Sequence, residues 1–167
     1  MCGILFYYGE ELLDIQTFKE ALDLQNHRGP DSTGIFYNSL GNNNFTDIKL
    51  KKNNNNLQSK ENNFSSNCFI GHKRLSIFDL SENSNQPFVN PDRKEFFIYN
   101  GEFYNFKDYC DKNTYYSDSL TLYKNLQKYG HDFYEKVNGM WASVYGNFNN
   151  KKIYLSRDRY GKKPLYY

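Results

Sequence analysis

Cysteine is scarce in this 167-residue chain: Cys2, Cys68 and Cys110 make an odd set without framework spacing. That excludes a disulfide scaffold and fits a reducing cytosol. No apolar run approaches the ~18 residues a spanning helix needs, and no positively charged n-region opens the chain. Neither membrane nor secretion is indicated, and a cytoplasmic location is expected. An excess of one charge is also missing. Lys and Arg total 21 against 19 Asp and Glu, for a net charge of +2, and they are dispersed. Without a concentrated basic face, nucleic acid is a poor partner. Alanine and valine are few, there is no Gly-Gly pair, and no internal repeat.

Aromatics and asparagines are abundant, with 16 Tyr and 14 Phe. Together with many lysines this is a compositional bias, so the tyrosines are weak support for ligand stacking. The length suits one domain with a real core. Residues 2–8 read as a covered strand ended by Gly9. Thr17 and Glu20 form a capping-box pair opening a helix with Phe18, Ala21 and Leu22 on one face, stopped before Gly29-Pro30. Residues 34–38 read as a strand. Residues 39–67, with ten asparagines, read as a polar surface excursion. Strand patterns resume at Cys68–Ile77 and Glu95–Tyr99. Asn100-Gly101 predicts a hairpin into Glu102–Tyr104. A second helix is expected over Asp118–Tyr129, with Ser117 as N-cap, Gly130 past its end, and Leu122, Leu126 and Tyr129 on one face. Strands at Met140–Phe148, Lys152–Arg157 and Pro164–Tyr167 complete a strand-rich half, with a turn at Asn149-Asn150. The pattern gives α+β or a sheet sandwich faced by helices, without strand order.

Cys2 directly follows Met1. Removal of Met1, which a small second residue permits, leaves one residue carrying both a thiol and a free α-amine. An α-amine titrates near pH ~8 and a thiol near ~8.5, so the amine can hold the thiol's proton. Nucleophile and general base then come from one residue. A buried strand cysteine is the competing reading, and Cys2 alone does not decide between them.

Four other segments break the rules of their elements. Arg28-Gly29-Pro30-Asp31 turns tightly after the first helix, and Gly71–Ile77 puts charge into an apolar strand. Asn100-Gly101-Glu102 sits at the expected bend, and Ser117-Asp118 opens the second helix. Taken singly, each has an ordinary use: a loop, an ion-paired Arg74, a turn, an acid on a helix dipole. Cys68 and His72 share a strand face, but two ligands do not make a zinc site. Taken together, the segments suit a free amino acid, which needs a guanidinium for its carboxylate and acids for its ammonium. Acyl transfer to sulfur needs oxyanion donors, which the Asn100 amide and the Gly101 N–H could supply, with no Cβ at 101 to hold a substrate off the backbone.

The runs Met1–Ile4, His27–Asp31, Gly71–Ile77, Gln86-Pro87, Asn100–Asn105, Ser117-Asp118, Gly139-Met140 and Arg157–Tyr167 resemble, in order, the glutamine-hydrolysing domain of class II glutamine amidotransferases of the asparagine synthetase type. The resemblance implies an N-terminal-nucleophile (Ntn) hydrolase fold: a four-layer αββα sandwich of two antiparallel sheets. It implies that Cys2 attacks the amide of L-glutamine, with Arg74 on the substrate carboxylate, Glu102 and Asp118 on its ammonium, and Asn100 and Gly101 as the oxyanion hole. No metal or organic cofactor is implied for this domain; ATP and Mg belong to a synthetase domain or subunit that would receive the ammonia. The acceptor, aspartate or another carboxylate, would be chosen there. A homodimer is left open. A non-catalytic glutamine-binding or assembly domain is the alternative.

The chain departs from the family pattern in four places. The 39–67 stretch is long, the Asn105–Ser117 stretch is short, Leu120 stands where Glu is common, and Trp141 replaces a customary Phe. The Ser-Gly-Gly phosphate loop of the synthetase domain is absent. The expectation is a glutaminase domain over 1–167, as an excised piece of a longer protein in preference to a free-standing subunit.

Overall fold

Strand periodicity and two amphipathic helices produce four layers. The computed structural model describes residues 1–38, 46–47 (backbone only), 64–77, 81–92, 94–110 and 117–167. One antiparallel sheet has the order β1-β4-β2-β3, from β1 (Gly3–Asp14), β2 (Ser32–Asn38), β3 (Thr46–Asp47) and β4 (Ser65–Arg74). The other has the order β5-β6-β7-β8, from β5 (Phe88–Val89), β6 (Glu95–Phe103), β7 (Gly139–Asn147) and β8 (Lys152–Arg157).

The near-continuous apolar runs of β4 and β6 follow from burial on both faces. Alternate residues of β4 and β6, among them Cys68, Ile70, Phe96 and Ile98, pack with Val144 between the sheets. The intervening residues face helices. Phe69 packs with Ile15, Phe18 and Leu22 of α1 (Ile15–Asp23). Phe97 and Phe103 pack with Leu122, Tyr123 and Leu126 of α2 (Asp118–Tyr129). This is the αββα sandwich expected from the resemblance. Both buried leucines of α2 and its Ser117 cap, accepting from the Leu120 N–H at 3.3 Å, also match expectation.

Several local expectations are corrected. Asn100-Gly101 makes no hairpin: β6 runs straight through, pairing Asn100 with Ala142 and Gly101 with Trp141 of β7. A two-residue Asn-Gly turn needs positive φ, and among the described glycines only Gly130 and Gly161 have it. β1 does not end at Gly9 but continues to Asp14 past an irregularity in its register with β4. As an edge strand it is half-buried rather than covered. The cap of α1 is Asp14, which accepts the Thr17 N–H at 2.9 Å, so Thr17 lies inside the helix. Tyr129 is half exposed and stacks on Phe133. Residues 164–167 form no strand; after β8 the chain enters a turn closed by the Gly161 N–H on the Asp158 carbonyl at 2.9 Å. Of the expected excursion, 65–67 belong to β4 and 46–47 to β3; the remainder, apart from Phe64, lies outside the described residues.

Candidate active site

The apolar layer between the sheets turns polar at one end. Continuing the inward positions of β4 past Ile70 gives His72 and Arg74; continuing those of β6 past Ile98 gives Asn100 and Glu102. They open onto a cavity of about 700 Å³, mouth included. Cys2, Arg74, Asn100, Gly101, Glu102 and Asp118 all line it. The structure therefore brings together the six residues to which the resemblance gives a role.

Cys2 sits just before β1, whose Gly3 pairs with Lys73 of β4, so its side chain falls beside the end of β4. The Leu75 N–H points at the Cys2 sulfur at 3.5 Å, a donor suited to a thiolate. The segment after α1 fixes this corner. Arg28 Nε donates to the Cys2 carbonyl at 3.2 Å. The Asp31 N–H donates to the Arg74 carbonyl at 3.0 Å, and the Asp31 carboxylate accepts the Ser76 N–H at 2.7 Å. A Cβ at Gly29 would lie 2.3 Å from the Lys73 carbonyl oxygen, so only glycine allows this approach. Cys68 contrasts with Cys2: it is fully buried in the core, and burial pushes its thiol up to about 12.

The other wall depends on ladder alternation. The Trp141 backbone bonds to Asp158 on the β8 side, so its partner Gly101 turns its N–H to the opposite, free edge of β6. Positions 99, 101 and 103 share that edge. At 99, the Gln86 amide acts as a surrogate strand, accepting the Tyr99 N–H at 2.7 Å and donating to its carbonyl at 3.2 Å. At 103, the Asp118 carboxylate accepts the Phe103 N–H at 3.0 Å. Between these two capped positions the Gly101 N–H faces the cavity. The neighbouring strand also requires glycine here: a Cβ at 101 would lie 2.2 Å from the Met140 carbonyl oxygen of β7.

The charges are unevenly compensated. Arg74 donates to the Ser81 carbonyl at 2.9 Å and the Asn85 side chain at 2.6 Å, which holds its guanidinium at the cavity wall. Burial raises the Asp118 carboxyl, and the nearby Glu102 charge adds to this, against the Phe103 and Ser119 N–H groups and the Tyr99 hydroxyl. His72 is pushed down to about 3, mainly by burial, with the Arg74 charge adding. It is therefore neutral, and neither ring nitrogen has a hydrogen-bond partner. Among the described residues no group of three metal-ligating side chains occurs.

Residues 57–167 match the family described as "Glutamine amidotransferase domain". The chain belongs to that family. This glutamine amidotransferase domain is similar over its whole length to proteins of Methanocaldococcus jannaschii and Bacillus subtilis. The first is provisionally named asparagine synthetase (glutamine-hydrolysing) 2, at 32% identity; the second is asparagine synthetase (glutamine-hydrolysing) 1, at 30%. It also resembles the amidase chyE of Penicillium rubens, at 32% identity over 92% of the chain. It spans 32%, 24% and 20% of those relatives' lengths.

Sequence reasoning left four cavity neighbours of the amidotransferase domain without a role: Arg28, Gln86, His72 and Lys163. Each stands in one of the runs that carry the resemblance. Their contacts cross between distant segments, so nothing in local periodicity or turn chemistry could reveal them.

Proposed function

We propose that this domain hydrolyses the side-chain amide of L-glutamine through a thioester on Cys2, after loss of Met1, and supplies the ammonia to an ATP-dependent amidation on a synthetase partner. The observation that carries this reading is the single cavity on which a cysteine at the chain's start, a guanidinium, two carboxylates and a free-edge backbone N–H converge. The match to glutamine-hydrolysing asparagine synthetases supports glutamine as substrate and amidation as the destination.

In this mechanism the Cys2 α-amine takes the thiol proton, and the thiolate attacks the amide carbon of glutamine. The Arg74 guanidinium holds the substrate carboxylate, and Glu102 and Asp118 hold its ammonium. The oxyanion is received by the Asn100 amide and the Gly101 N–H, both on the cavity wall. The protonated amine then gives its proton to the departing nitrogen. The C–N bond breaks, ammonia leaves, and a glutamyl thioester remains on Cys2. Water, deprotonated by the same amine, attacks the thioester; glutamate leaves and the thiol regains its proton. ATP and Mg act on the partner, and no step here passes through them.

Glutamate release by Met1-processed chain and by Cys2→Ala tests the reading. Turnover is expected to vanish in the variant while glutamine still raises its melting temperature. Equal turnover by both proteins would exclude Cys2 as nucleophile. Protection by glutamine without glutamate release from the parent, when joined to its synthetase partner, would favour a non-catalytic binding domain.

A further inference from the structure

The Arg157–Lys163 segment contributes nothing to the steps above, yet its geometry is tightly determined. Asp158, 4% exposed, anchors it. One carboxylate oxygen accepts the Tyr160 and Lys162 N–H groups at 3.1 and 2.9 Å; the other accepts those of Trp141 and Lys163 at 3.2 and 2.9 Å. The Asp158 N–H donates to the Trp141 carbonyl at 2.9 Å, and Gly161 takes a φ of 64°. A turn tied at these points to the interior strand β7 delivers Lys163 to one place.

That place is the cavity wall beside the start of the chain. Lys163 is 5% exposed, lines the cavity with Met1 and Cys2, and has its Nζ 2.8 Å from the Met1 sulfur. A thioether is a weak acceptor for an ammonium. Among the described residues the ion pairs are Lys73–Asp23 and His131–Asp132, so Lys163 has no carboxylate at that distance. Loss of Met1 removes the sulfur and leaves a buried cation on the cavity wall that it shares with Cys2.

We propose that Lys163 is a fixed positive charge that keeps the Cys2 α-amine unprotonated and able to accept the thiol proton; this inference rests on the glutamine-hydrolysis reading. A neighbouring cation disfavours an ammonium, and a partly enclosed cavity screens the repulsion less than water does. The other charged or titratable groups at this end are Arg28 on the Cys2 carbonyl, Arg74 and neutral His72 on β4, Glu102 on β6, and Asp118 on α2. In the proposed complex Arg74, Glu102 and Asp118 are matched by the substrate's own charges. Arg28, held on the Cys2 carbonyl, and Lys163 remain as cations near the amine; Arg28 is common to every variant tested, so a change at 163 reports the Lys163 charge alone.

The test compares Met1-processed parent, Lys163→Met and Lys163→Arg. The readout is the rate at which a glutamine-mimicking diazoketone modifies Cys2, measured by intact mass from about pH 5.5 to 9. Lys163→Met is expected to move the acid limb of the profile upward by about half to one pH unit, a loss of about 3- to 10-fold near pH 6.5 that closes at alkaline pH. Lys163→Arg is expected to track the parent. Should Lys163→Met fail to fold, Lys163→Gln is read in the same way. A neutral variant whose profile superimposes on the parent's, or falls by one factor at every pH, overturns the inference and leaves the hydrolysis reading standing. A parent that is never modified at Cys2 overturns both.

Discussion

Two aspartates sit beneath hydrogen-bond donors in this domain, one opening α2 and one in the turn after β8. Asp118 receives the Phe103 and Ser119 N–H groups and the Tyr99 hydroxyl; Asp158 receives four backbone N–H groups. Burial pushes both carboxyls up. At Asp158 the N–H groups outweigh it and hold the carboxyl below its usual range, whereas at Asp118 burial prevails and Glu102 adds to it. Asp158 is thus fully compensated by its own chain. Asp118 lines the cavity with its charge only partly compensated. The contrast separates an acid whose charge the fold itself balances from one that, in the proposed function, is balanced by the substrate's ammonium.

The largest expected effect lies on the structural side. Asp158→Ala strands four N–H donors and should cost about 2–4 kcal/mol in urea unfolding. Loss of under about 0.5 kcal/mol would erase the distinction between the two acids. Asp118→Asn should behave in the opposite way, raising the glutamine KM about 10- to 100-fold in steady-state assays without lowering the melting temperature at neutral pH. Its sign follows from the raised carboxyl. The charged form is disfavoured in the folded chain, so removing that charge relieves the ligand-free protein.

The pH dependence sharpens the same comparison. For Asp158 the folded carboxyl lies below its unfolded value near 3.8. Its contribution is present above that value and is lost as pH falls through the folded one. Parent stability, followed by urea midpoint, should therefore fall faster below pH 4 than that of Asp158→Asn. Smallest is Trp141→Phe, which removes the 2.9 Å bond from the indole N–H to Ser156. It should cost about 1 kcal/mol and leave the glutamine KM unchanged, because β7 is held by Asp158 through the backbone rather than by the ring.

What could be read from sequence divides along the same line between local and distant determinants. The α2 helix was legible because Ser117, the buried leucines and Gly130 signal cap, face and end within fourteen residues. Asn100-Gly101 was misread because its turn chemistry is local, whereas the strand that overrides it begins at Gly139. The Pro164–Tyr167 pattern was apolar enough for a strand, but the segment forms none, and the turn before it is set by Asp158, which accepts the Lys163 N–H. The six site residues were found through ordered motifs rather than spacing. Their neighbours Gln86, Arg28 and Lys163 act on atoms 13, 26 and 162 positions away, where sequence pattern carries no signal.

The most direct test of the account is intact and peptide mass spectrometry of Met1-processed chain after treatment with the glutamine-mimicking diazoketone. A single adduct on Cys2, suppressed by L-glutamine, is the predicted result. An adduct on Cys68 or Cys110, or labelling that glutamine leaves unchanged, would contradict it.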